Sequence, residues 1–105
     1  MKVIYTAGKY SANSEWEMWQ NIQHASMVAR TLWMNGYAVI CPHRNTMFFG
    51  SGRADDHKIW LDGDLEILSR VDVIYMLKGW QESTGATMEH ARAEELGLEI
   101  LYEEE

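Results

Sequence analysis

Residues 71–90 read VDVIYMLKGWQESTGATMEH: a β-branched, apolar run, then a glycine-containing turn, then a helical pattern carrying Glu89. The apolar run predicts a buried strand over Val71 to Leu77, and Gly85 to Leu96 predicts the helix that follows it. A turn of this kind offers free backbone N–H groups, and the helix directs its positive end at whatever occupies it. Phosphate-sized anions and sugar chemistry both suit such a place.

Outward from this stretch the chain repeats the same alternation. Lys2 to Ala7 predicts a first strand ending at Gly8. Ser14 and Glu17 form a capping-box pattern, opening a long helix that Gly36 stops. At 100° per residue, Met18, Ile22, Ala25, Ala29, Leu32 and Trp33 share the face expected to lie on the sheet. Tyr37 to Cys41 predicts a second strand stopped by Pro42, and His43 to His57 a long polar loop of the length typical of lids and binding loops. Lys58 to Arg70 predicts a helix with Trp60, Leu61, Leu65 and Leu68 inward and Gly63 tolerated. Leu98 to Tyr102 is the fourth strand, turned by Gly97.

Strands alternating with helices over short connections imply right-handed crossovers and a parallel sheet covered on both faces. The expected fold is therefore α/β, Rossmann-like or flavodoxin-like, with three layers and a four-stranded parallel sheet. In such sheets the ligand sits beyond the carboxyl ends of the strands. Those ends are residues 8–14, 43–57 and 78–84. Lys9, Arg44, Arg53, Lys58 and Lys78 fall in or beside them, an arrangement suited to a small anion.

The bulk properties bound the possibilities. With 105 residues and 47% apolar content, the chain is expected to form a single domain over 1–105. No apolar run approaches the roughly 18 residues of a membrane span. The N-terminus opens directly on a strand pattern, so a cytoplasmic location is expected. A net charge of −7 disfavours a nucleic acid polymer as partner. Cys41 is the only cysteine, which excludes an internal disulfide, and the histidines show no metal spacing; neither metal nor cofactor is expected.

Three residues can carry chemistry. Glu89 is expected in the first turn of its helix, at the ligand edge, where a carboxylate also simply compensates the dipole. Asp64, beside Leu65, can turn inward while Glu66 faces water. With Tyr5 on the first strand, these would supply a nucleophile, an acid or base, and an orienting hydroxyl. Asp72, at the start of its strand, reads as structural. Trp16, Met27 and Met34 gather on a separate face of the long helix, so either they are scattered exposed groups or the chain forms a homodimer or higher homo-oligomer there.

Taken together, WLDGDLEIL (60–68), VDVIYML (71–77), GWQESTGATME (79–89) and LGLEILY (96–102) resemble the small phage and bacterial proteins of the DUF4406 family. These in turn look like short relatives of the nucleoside 2-deoxyribosyltransferase superfamily, whose first strand and loop VIYTAGKY (3–10) also resembles. The resemblance covers nearly the whole chain. It implies that Glu89 attacks the anomeric carbon to form a glycosyl ester, while Asp64 and Tyr5 assist departure of the base and hold the nucleophile. Water then gives hydrolysis, and a second base gives transfer. The characterised enzymes continue into a longer C-terminal part that completes a neighbour's active site, whereas here Glu105 follows soon after the fourth strand.

Ser83 stands where transferases acting on free nucleosides commonly carry an aspartate and nucleotide-cleaving relatives a serine. The resemblance thus implies a nucleoside 5′-monophosphate, held by Ser83, Gly85, Ala86 and Lys9 beside Gly8. Ser83 can cap the helix at the same time. Trp80 or the loop with His43 and Asn45 would pack the base, unless Trp80 serves only the core. The expected function is an N-glycosidase acting on (deoxy)nucleoside 5′-monophosphates. Base exchange between deoxynucleosides, or a module that binds nucleotide without cleaving it, are the alternatives.

Overall fold

The structure, a computed structural model, describes residues 1–47, 49 and 56–104. Its elements run β1 (Val3–Ala7), α1 (Glu15–Met34), β2 (Ala38–Ile40), α2 (Pro42–Asn45), α3 (Asp56–Leu68), β3 (Val73–Met76), α4 (Thr84–Leu96) and β4 (Glu99–Tyr102), with a 3₁₀ turn at Trp80–Glu82 before α4. The four strands are parallel in the order β2-β1-β3-β4, so the expected α/β, three-layer architecture is what the chain adopts.

Period-2 alternation along β1 and β3 assigns the faces. Ile4 and Val73 point to one side and pack with Leu32 of α1. Tyr5, Ala7, Ile74 and Met76 point to the other, against Leu68 of α3 and Ala86 and Ala93 of α4. Small residues on α4 let that helix lie close to the sheet, which brings the first two turns of α4 over the carboxyl ends of β1 and β3.

Local signals set most element ends. Ser14 caps α1 by accepting from the Glu17 N–H at 3.1 Å. Asp72 accepts from the Val3 N–H at 2.8 Å, tying the start of β3 to the start of β1 and giving it the structural use its position implied. Gly97 ends α4 in the left-handed region, at φ +70°, a conformation that suits glycine.

Several expectations need correction. Pro42 does stop β2, yet it also opens α2: proline's fixed φ suits a first helical position, and its missing N–H costs nothing there. Residues 43–45, expected in a loop, are therefore helical, while 48 and 50–55 of that loop lie outside the described residues. The helix expected from Lys58 begins at Asp56. Trp33 was expected in the core but is 55% exposed, because it stands 100° round the helix from buried Leu32. Glu89 falls in the second turn of α4, since Ser83 caps a helix that starts at Thr84. Among the described residues, no helix is long and apolar enough to cross a membrane.

Candidate active site

β1 carries Tyr5 inward, fully buried, to the face covered by α4. Its hydroxyl donates to Oε2 of Glu89, which is itself 7% exposed. Asp64, half-buried on α3, lies close enough for its charge to act on both. Tyr5 of β1 and Glu89 of α4 are thus in contact, with the Asp64 charge of α3 near enough to act on both, though no sequence spacing linked them.

Burial dominates the electrostatics here. It pushes the Glu89 carboxyl up to about 7; the Tyr5 hydroxyl opposes this by stabilising the anion, and the Asp64 charge adds to it. Burial likewise raises Asp64 to about 6. The Tyr5 phenol is driven far above its ordinary range by burial and then by the Glu89 charge, so it stays a proton donor. Carboxyls near neutrality that share one site titrate as a pair, and between about 6 and 7 the pair holds roughly one proton. Glu89, with the higher value, holds that proton in most molecules, so the state with Glu89 ionised and Asp64 protonated is the minor one, about one in ten of the singly protonated pairs.

Six residues before Glu89, the Ser83 Oγ accepts from the Ala86 N–H at 3.1 Å. The capping role is thus filled, and the hydroxyl hydrogen remains able to donate. Gly85 is half-buried, and a side-chain carbon there would lie 3.9 Å from Leu61 and from Ser83, in ordinary contact. Gly8 is tighter: a Cβ would come within 2.8 Å of Leu77, which donates its N–H to the Ala7 carbonyl. The loops leaving β1 and β3 touch at this point.

The remaining expected ligand residues are placed differently. Lys9 is ion-paired with Glu82 at 2.8 Å, a partner that becomes visible only once β1 and β3 are known to be neighbours. His43 is buried and held neutral by that burial, with Nε2–H donating to the Lys9 carbonyl at 2.9 Å; it anchors a loop. Asn45 is exposed and lines a groove against α1, away from the Tyr5–Glu89 contact. Trp80 has one ring face covered by His90, with centroids 4.3 Å apart, and His90 in turn meets the Tyr102 hydroxyl at 2.7 Å. Nothing in the sequence spacing marked His90 or Tyr102, because β4 brings Tyr102 back to α4 from outside the motif.

Comparison with known proteins agrees with this architecture. A family model described as a domain of unknown function (DUF4406) matches residues 2–102. None of the curated proteins matches the sequence. Among solved structures, the fold is similar to a 2-deoxyribosyltransferase from the psychrotolerant bacterium Bacillus psychrosaccharolyticus, described as a biocatalyst for the synthesis of antiviral and antitumoral nucleosides. The TM-score is 0.68 at 22% identity, over 95% of this chain and 70% of that one, which is a likeness of fold.

Proposed function

Starting from a chain that belongs to the DUF4406 family, we propose that it cleaves the N-glycosidic bond of (deoxy)nucleoside 5′-monophosphates. The observation that carries this reading is the buried contact of Tyr5 with Glu89, with Asp64 alongside. The Glu89 carboxylate attacks the anomeric carbon, and the bond to the base breaks as Asp64 delivers a proton to the departing nitrogen. Tyr5 holds Glu89 in line and stabilises its charge. Water then adds to the same carbon, giving its proton to Asp64, and the ester bond to Glu89 breaks to release the sugar phosphate.

The Ser83 hydroxyl and the Gly85 N–H would receive the 5′-phosphate, with the Ala86 N–H, which donates to Ser83 Oγ, joining them only if it leaves that cap. A neutral hydroxyl donates to phosphate where a carboxylate would repel it. Lys9 joins this cradle if it leaves Glu82, an exposed pair whose exchange costs little. The base would pack against the part of Trp80 left accessible by its contacts with His90 and the core.

The test is chromatography of a panel of nucleoside and deoxynucleoside 5′-monophosphates incubated with the wild type and with Glu89→Gln. Release of free base by the wild type alone supports the reading. No release from any member, with or without an acceptor base, overturns it and favours binding without cleavage. The likeness of fold to a 2-deoxyribosyltransferase supports one alternative, base exchange, in which product appears only when a second base is supplied.

We also propose that the chain self-associates through α1. Trp16, Met27 and Met34 are 66%, 69% and 72% exposed on one face of that helix. Large apolar groups so aligned favour burial against a second copy.

A further inference from the structure

An open groove of about 650 Å³ lies between α1 and the edge strand β2, with α2 beside it. Ser26, Arg30 and Trp33 line it from α1, Cys41 from the end of β2, and Arg44 and Asn45 from α2. Tyr5, Asp64 and Glu89 do not line it.

Two of the protein's cations, Arg30 and Arg44, face this groove. The protein is strongly acidic, and Lys2, Lys9, Lys58, Arg70 and Arg92 each hold a carboxylate within 3.5 Å. Neither Arg30 nor Arg44 has such a partner among the described residues, although both face the same groove. Guanidinium groups bind phosphate and carboxylate through paired, planar N–H donors. Beside them Trp33, next to buried Leu32 and one turn after buried Ala29, keeps 55% of its surface exposed. An exposed indole next to two cations is a stacking surface for an aromatic ring that carries negative charge. Ser26 and Asn45 add neutral hydrogen-bonding groups.

From this geometry we infer that the groove between α1 and β2 is a second ligand site, which takes an aromatic phosphate ester of the size of a nucleoside monophosphate. The ring stacks on Trp33 and the phosphate is held by Arg30 and Arg44. The inference does not rest on the proposed glycosidase, since no residue of the Tyr5–Asp64–Glu89 cluster contributes to it.

The test uses the full chain carrying Glu89→Gln, so that no ligand is consumed, with its tryptophan indole nitrogens labelled for NMR. The Trp33 signal is assigned by its loss in Trp33→Phe, and the Trp80 signal reports separately on the neighbourhood of Glu89. Titration with adenosine 5′-monophosphate is expected to shift the Trp33 signal saturably, with adenosine or inorganic phosphate alone at least tenfold weaker. Arg30→Gln and Arg44→Gln, both exposed substitutions, are each expected to weaken the Trp33 response at least tenfold. Arg44→Lys, which keeps charge but loses the planar fork, should be intermediate. A Trp33 signal that does not move, or that moves equally in all three arginine variants, overturns the inference whatever Trp80 reports.

Discussion

Glu89 concentrates both the chemistry and a stability cost in one side chain. Its carboxyl is raised from 4.5 to about 7 mainly by burial, so between those values the folded chain binds a proton that the unfolded chain releases. Stability from this group is accordingly full at low pH and is lost as pH rises through about 7. Glu89→Gln should therefore be more stable than wild type at pH 8, by up to about 3 kcal/mol, with the gain shrinking toward pH 5; thermal unfolding at both pH values measures it. The same variant is expected to lose at least about 1,000-fold in base release, as removal of a covalent nucleophile does. Tyr5→Phe removes the hydrogen bond that lowers the Glu89 value, so the acid limb of the rate profile should move to higher pH. An unmoved limb would show that Glu89 is not the group titrating in that limb.

At the scale of elements, the contact of Gly8 with Leu77 locks the loop after β1 to the end of β3. Gly8→Ala forces its Cβ into Leu77 and is expected to cost about 1–3 kcal/mol in chemical denaturation. Leu77→Ala removes the Cγ and Cδ1 contacts but keeps the Cβ at 2.8 Å, so the double variant should recover only part of the collision cost. This scale also shows what the sequence could and could not reveal. The ends of α1 and α4 were legible because Ser14, Ser83 and Gly97 act within a few residues of themselves. Pro42 was ambiguous, since the residue that ends a strand is equally suited to begin a helix. The meeting of Tyr5, Asp64 and Glu89 was legible by resemblance, not spacing, and the pairing of Lys9 with Glu82 needed the strand order. Trp80 read equally as a base platform or a packed ring, and the partner that covers one of its faces, His90, is fixed only by β4.

For the whole molecule, the exposed apolar face of α1 gives a concentration-dependent expectation. Sedimentation velocity of the wild type should show self-association, and Met27→Glu with Met34→Glu should shift the population toward monomer while leaving secondary structure intact, since neither side chain enters the core. A wild type that stays monomeric at high concentration rules out α1 as an interface.

The strand order has a consequence in time. β1 lies inside the sheet, yet the bond from Val3 to Asp72 that aligns it with β3 spans 69 residues. At translation rates of about 5–20 residues per second, β1 waits on the order of 3–14 s for the neighbour that completes it. During that interval only the short β2 can cover one of its edges, and Tyr5 has neither β3 nor α4 over it. Contacts of such long range also make folding slow relative to helical proteins of the same size. The strand bearing the deepest side chains is thus the one that the ribosome leaves longest without its principal partner.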